Sequence, residues 1–256
     1  ATDAARRGAD LVVFPELAVT GYSVREGFHH VAARRTSAIV RTLGRLTVEH
    51  GVDLAVGLVE ETADHRFFNV AMYFSAGALL HCHRKVYLPN YGRFDERRFF
   101  GAGREVAAFD TPRFGRVGML VCGDLWHLEL AYALAHDGCN VLLALAASST
   151  EGLLPSVDNR GAWLRLVQTY ALCLGMYVVF VNRVGEELGF HFYGSSSVIS
   201  PTGDVMEVAE TDPTMLVADL DWATLRMQRI ALPFRRDDVL SLTISMFKRV
   251  MDRQQD

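Results

Sequence analysis

The sequence predicts an α/β protein, and three observations predict it. Short continuous apolar runs recur along the chain, and longer stretches of helical periodicity sit between them. Half of the 256 residues are hydrophobic against 22% charged, which suits a well-buried core. Several runs are rich in Val, Leu and Ile with little alternation, as in strands covered on both faces. The length admits one large domain or two small ones. No linker, repeat or low-complexity segment divides it, so residues 1–256 are read as a single domain.

The expected strands are Leu11–Phe14, Asp53–Glu60, Asn69–Phe74, Leu79–Val86, Val117–Val121, Asn140–Ala146, Tyr177–Asn182, Ser196–Ser200 and Thr214–Asp219. The run NVAMYF resembles a member of an antiparallel hairpin. Ala4–Arg7, followed by Gly8, reads as the tail of a helix. His29–His50 reads as one helix, with Val31, Ile39, Val40, Leu43 and Leu46 on a stripe and Gly51 as its stop. Leu125–His136 and Ala162–Leu174 are the next two helices, closed by Asp137-Gly138 and Gly175. Leu88–Gly103, Ser148–Asn159 and Val184–Ser195 are expected to be long exposed loops, where binding chemistry tends to sit. The tail from Leu232 is more charged and is expected to wrap the outside or a partner subunit.

Charge and composition exclude several function classes. A formal net charge of −4, with basic residues scattered apart from Arg93, Arg97 and Arg98, offers no footprint for nucleic acid. No apolar run approaches the roughly 18–20 residues that cross a bilayer, so no membrane partner is expected. Cysteines at 82, 122, 139 and 173 lie too far apart for a disulfide scaffold, and no signal peptide opens the chain. The expected compartment is the cytoplasm.

Three strand ends carry reactive side chains. In DLVVFPELAVTGY an apolar strand stops at Pro15 and Glu16 follows; LLHCHRKVYLPNYG brings another strand to Lys85; RVGMLVCGDLW brings a third to Cys122. In layered α/β folds such positions converge on one sheet edge, where ligands bind. The chemistry this trio permits is acyl transfer from an amide through a thioester. A thiolate at Cys122 is the nucleophile, favoured by a helix N-terminus opening just after it. Glu16 serves as general base and then as acid toward a leaving amine. Lys85 stabilises the oxyanion, helped by the backbone N–H of Gly123. Each residue also has an ordinary reading: an inert buried thiol, a solvated edge lysine, a strand-end carboxylate.

Other patterns are weaker. His81, Cys82 and His83 suggest zinc, but strand alternation points Cys82 opposite to both histidines and no second ligand pair lies at zinc-like spacing. YGSSS is no nucleophile elbow and GAGREV no dinucleotide fingerprint. Neither a cofactor nor a metal is therefore expected. Cys139 and Cys173 read as buried structural thiols. Arg160 after the Ser148–Asn159 loop suits a substrate carboxylate, and Ser149 suits a substrate amine. Trp126 and His127 are close enough to Cys122 in sequence to line a pocket.

FPELAVTGY, HRKVYLPN and LVCGDLW, in that order, are similar to the Glu-Lys-Cys motifs of the nitrilase, or carbon–nitrogen hydrolase, superfamily. KVYLPNYGRFDERRFF resembles most the glutaminase (amide-hydrolysing) domain of glutamine-dependent NAD synthetases, and GFHFYGSSSVISPTGDV looks like the family's late hairpin. The likeness spans roughly Ala9 to Asp219. It implies a four-layer αββα sandwich, assembled as a homo-oligomer (dimer or larger), and an amidase acting on a small-molecule amide. It makes Glu16 the general base, Tyr22 and Tyr91 substrate contacts, and Glu96, with Asp95 as rival, the family's second glutamate. The sequence departs from the pattern at Gly123, where an acidic or aromatic residue is usual. The family's first strand has no counterpart before Ala1 and is expected to exist in the native gene. The lack of a following synthetase domain favours a free-standing amidase. The alternatives are a glutaminase subunit serving a separate synthetase, and an inactive relative acting in binding or assembly.

Overall fold

The computed structural model describes residues 1–22, 27–150 and 158–254. The chain opens with helix α1 (Thr2–Arg6), strand β1 (Leu11–Val13) and helices α2 (Phe28–Val31) and α3 (Ala38–His50). Then come β2 (Asp53–Glu61), β3 (Phe67–Ser75), β4 (Ala78–Arg84), β5 (Phe109–Thr111) and β6 (Gly115–Val121). Helix α4 (Leu128–His136), β7 (Val141–Ala146), α5 (Asn159–Leu174) and β8 (Tyr177–Asn182) follow. The last strands are β9 (Val184–Glu187), β10 (Phe190–Tyr193), β11 (Ser197–Ile199) and β12 (Val205–Val208), and the last helices α6 (Trp222–Ala231), α7 (Phe234–Asp237) and α8 (Leu240–Arg253).

Two sheets result. The first has the order β1-β2-β3-β4, with β1 parallel to β2 and the rest an antiparallel meander. The second has the order β12-β11-β8-β7-β6-β5, parallel through β6, β7 and β8 and antiparallel at both edges. Their period of two sorts the side chains into layers. On β2, Leu54, Val56 and Leu58 face outward and pack with Val40 and Leu43 of α3. Ala55 points the other way and, with Ala71 and Tyr73, meets Val117, Met119, Val121, Val141, Leu143 and Leu145 of the second sheet. The far face of that sheet, including Leu120, Leu142, Ala144, Val178 and Phe180, meets Leu134 of α4 and Trp163, Val167 and Tyr170 of α5. The order is helix, sheet, sheet, helix: the expected four-layer αββα sandwich. Each enclosed Leu or Val contributes about 1.5–3 kcal/mol.

Several boundaries differ from the sequence expectation. The stretch 29–50 is two helices, because Ala33 is extended and exchanges backbone bonds with Val59 and Glu61 at the edge of β2. Residues 214–219 join no sheet; none of them is buried on either face, which a strand of that composition would need. Conversely, 184–195 is a hairpin and not a loop. Leu188 and Gly189 turn it with φ of 45° and 80°, and Phe190 and Phe192 point inward while His191 points out. Helix α4 begins at Leu128, after a 3₁₀ turn over Cys122–Trp126. Cys139 is buried as expected, but Cys173 is exposed, lying on the opposite side of α5 from its inward residues Val167, Tyr170 and Ala171. Most of the Ser148–Asn159 loop falls outside the described residues. No helix among the described residues is long and apolar enough to cross a membrane.

Candidate active site

Glu16, Lys85 and Cys122, which are 69 and 37 residues apart in sequence, come together where β1, β4 and β6 end. Glu16 leaves β1 over Gly57 of β2, where a Cβ would lie 2.3 Å from Leu17 N and 2.7 Å from Pro15 O; only glycine lets the two backbones approach this closely. Leu17 then turns with φ of 51°, and Cys122 with φ of 43°. A non-glycine residue held at positive φ is strained, and such strain gathers at functional sites.

Glu16 and Lys85 form a buried polar cluster with Glu96, and the half-buried Cys122 lies beside it. Glu16 and Lys85 are fully buried, and Glu96 is 7% exposed. Lys85 Nζ donates to Glu16 Oε1 and to Glu96 Oε1, each at 2.8 Å. Asn69 Nδ2 also donates to Glu16 Oε1 at 2.8 Å, and the Ala147 N–H donates to Glu16 Oε2 at 2.8 Å. The same Ala147 N–H faces the Cys122 sulfur, so it marks where the acid and the thiol meet. Glu96 Oε2 is buried with no hydrogen-bond partner.

Electrostatics follow from this packing. Burial opposes the charge on Lys85, but Glu16 and Glu96 outweigh it and hold the ammonium well above the usual lysine range. Burial, opposed by Lys85 and assisted by Glu16, lifts the Glu96 carboxyl to about 7. Burial, with Glu16 adding to it and Lys85 opposing, pushes the Cys122 thiol well up. The expectation of a thiolate stabilised by a following helix is thus corrected. The turn after Cys122 is only five residues of 3₁₀ helix with the acidic Asp124 in its first turn, and the nearest groups include two carboxylates. Cys122 rests as a thiol beside a hydrogen-bonded acid.

Asp124, which the sequence reading passed over, ties the turn that begins at Cys122 to the strand that ends at Lys85. Its Oδ1 accepts the N–H groups of Val86 and Tyr87 at 2.9 Å each, and its Oδ2 accepts Val121 N–H at 3.1 Å. His83 Nε2 lies 2.8 Å from the same Oδ2, both side chains being buried. His81 instead stacks on Phe109, and Cys82 faces the Glu60–Arg35 side; the three share no metal-like arrangement, and no such group of ligands occurs among the described residues. Gly123 has a reason to be glycine here: a Cβ would lie 2.8 Å from Tyr87 O.

The other expected residues divide. The Tyr22 hydroxyl donates to Glu96 Oε1 at 3.4 Å, and its ring meets Phe190 and Phe192 edge-on. Burial, then Glu96 and Glu16, hold its phenol well above the ordinary value, so it stays an O–H donor. Tyr91 is half exposed, packs edge-on against Phe94, and lies near Cys122. Ser149 is buried and bridges to Phe192. Glu96, not Asp95, reaches Lys85; Asp95 lies out with Arg98. Trp126 is exposed and edge-on to Trp163, while His127 stacks on Tyr87. Arg160 is exposed and lines a different pocket, whose described lining contains none of Glu16, Lys85, Glu96 or Cys122.

The carbon-nitrogen hydrolase family model matches residues 1–230. The chain is 30% identical over 241 residues to Omega-amidase NIT2-B of Xenopus laevis, covering 91% of this chain and 84% of that one. It is 27% identical over 205 residues to the glutamine-dependent NAD(+) synthetase of Acinetobacter baylyi, covering 80% of this chain but 36% of that larger protein. Among solved structures, a carbon-nitrogen hydrolase from Helicobacter pylori superposes with a TM-score of 0.84 at 24% identity, covering 97% and 90% of the two chains.

Proposed function

Because the chain belongs to the carbon–nitrogen hydrolase family, we propose that it hydrolyses a small-molecule amide through a thioester on Cys122, releasing ammonia. What supports this is the buried Glu16–Lys85–Glu96 cluster, a carboxylate suited to accept a proton and an ammonium, beside the Cys122 thiol. The amide carbon is attacked by Cys122 Sγ while the thiol proton passes to Glu16. The oxyanion is held by the third N–H of Lys85, whose other two are taken by carboxylates, and by the Gly123 N–H. Glu16 returns the proton to the departing nitrogen, leaving the thioester. Water then attacks with its proton taken by Glu16, and the acid leaves as Cys122 regains its hydrogen.

The unpartnered Glu96 Oε2 suits a substrate N–H, and Tyr22, Tyr91 and Ser149 surround the place where that substrate would lie. A second reading, a glutaminase supplying ammonia to a separate synthetase, is favoured by the NAD(+) synthetase relative, of which this chain spans about a third. The working form in this proposal is a homo-oligomer. Helix α8 leaves Leu240, Ile244, Phe247 and Met251 exposed at positions that share one side, an apolar stripe suited to another copy; sedimentation at micromolar concentration tests it.

The functional test is ammonia release from glutamine and from a panel of simple and carbamoyl amides, with Cys122→Ala alongside. Turnover that falls at least about 10⁴-fold in the variant is expected. Full turnover by Cys122→Ala would remove the thioester route, and release from glutamine alone would favour the second reading.

A further inference from the structure

A pocket of about 300 Å³ lies on the helix-covered face of the second sheet, between the first turn of α5 and strands β8, β11 and β12. Its walls include Arg160, Trp163, Phe180, Tyr193, Ser195 and Ser197. Trp163 and Phe180 stack on each other at 5.0 Å and form an apolar side. The opposite lining is polar and unfinished. The hydroxyls of Ser195 and Ser197 are buried without a hydrogen-bond partner, while the buried Tyr193 hydroxyl faces Ser148, whose oxygen already accepts from Asn159 and Trp163; Tyr193 and Ser197 are only 5% and 1% exposed as residues. Ser195 is also held at a φ of 58°.

Orphaned buried hydroxyls are rare because each forfeits its bonds to water. Two of them and a phenol O–H around one cavity call for a ligand that supplies oxygen acceptors. The neighbouring charge agrees in sign. Arg160 makes no ion pair with any described residue, and the N-terminus of the 16-residue α5 opens on the same pocket. The carboxylate of Asp158, also in the lining, is already engaged: Oδ1 accepts the Gly161 N–H at 2.9 Å, and Oδ2 lies 3.8 Å from Arg165 Nη1.

We infer that this pocket binds a small organic carboxylate, its oxygens on the Tyr193, Ser195 and Ser197 hydroxyls and Arg160, its short apolar body against Trp163 and Phe180. The volume is at the low end for ligand pockets, and the apolar wall favours an organic acid over a bare inorganic anion. The inference does not depend on the cysteine chemistry, because none of the residues proposed for that chemistry lines the pocket.

The test is calorimetric titration of the full chain carrying Cys122→Ala with n-butyrate, butyramide and inorganic phosphate. Saturable binding of butyrate is expected, at least about tenfold tighter than butyramide, and weakened about tenfold by Ser197→Ala with Tyr193→Phe or by Arg160→Gln. Without ligand, Ser197→Ala should melt no lower than its parent, since it removes an unpaired hydroxyl. The inference is overturned if butyrate does not saturate, or if its affinity ignores the Ser197 and Tyr193 changes. Binding of phosphate but not butyrate, or a lower melting point for unliganded Ser197→Ala, would overturn it as well.

Discussion

Two polar regions at the edges of the second sheet are built in opposite ways. Around Cys122 the protein gathers acceptors, two carboxylates sharing one ammonium, and leaves a single carboxylate oxygen of Glu96 unmatched. In the pocket beside α5 it gathers donors, three hydroxyls and a guanidinium, and the one carboxylate in the described lining, Asp158, caps the helix through Oδ1. The difference teaches what each lacks. A cluster short of donors suits a ligand that brings an N–H; a cluster with donors to spare suits a ligand that brings oxygen. The first is also internally braced, because removing one ion strands the others, whereas the second loses little when one hydroxyl is removed.

Substitutions can break or sharpen this contrast. Glu16→Gln keeps the shape but removes the proposed proton acceptor, so turnover should fall about 10²–10⁴-fold. Because Glu16 is one of the groups raising the Cys122 thiol, alkylation of that thiol by iodoacetamide should become faster in the same variant. Slower alkylation would contradict the electrostatic account. Lys85→Met leaves Glu16 and Glu96 buried side by side and should cost about 3–5 kcal/mol in urea unfolding. A wild-type midpoint for this variant would mean the cluster does not brace the sheet edge.

Gly123→Ala tests the close approach of Tyr87 and should destabilise by about 1–3 kcal/mol, read by thermal melting. Glu96→Gln acts on pH dependence. Glu96 titrates near 7 in the fold and near its ordinary 4.5 when unfolded, so between those values the native state binds more protons. Its contribution therefore falls as pH rises from about 4.5 to 7. Melting temperatures of Glu96→Gln should decline less over that window than those of the parent. The smallest effect is expected at the donor-rich pocket: Ser195→Ala should change the unliganded melting midpoint by less than about 1 kcal/mol equivalent, in either direction.

Much of the acceptor-rich site is visible in the sequence because its members end strands, and strand ends announce themselves as an apolar run stopped by a polar residue. Lysine usage adds a signal: of 26 basic residues only Lys85 and Lys248 are lysine. A chain that otherwise uses arginine retains an ammonium where a compact charge must fit between two carboxylates. The partners of the cluster are harder to read. Asn69 lies inside a strand, Asp124 inside a turn, and Ala147 contributes only its backbone; each matters through contacts across 53, 37 and 131 residues of chain. The hairpin over Val184–Tyr193 was hidden by its glycines and glutamates, although the alternation of Phe190, His191 and Phe192 carried the period of a strand. The donor-rich pocket has no motif at all, since Ser195 and Ser197 look like loop serines until the register of β11 against β8 is known.

The bonds to Asp124 have a kinetic consequence. One carboxylate receives the N–H groups of Val86, Tyr87 and Val121 and the ring of His83, so the end of the lysine strand and the Cys122 turn cannot separate one bond at a time. Any opening there exposes a buried anion stripped of its whole hydrogen-bond shell. Local fraying, the usual route by which loop amides meet deuterium, is closed to these three. Their exchange should follow cooperative opening of the sheet edge, and the slowest amides of the molecule should include some that stand just beside the Cys122 sulfur.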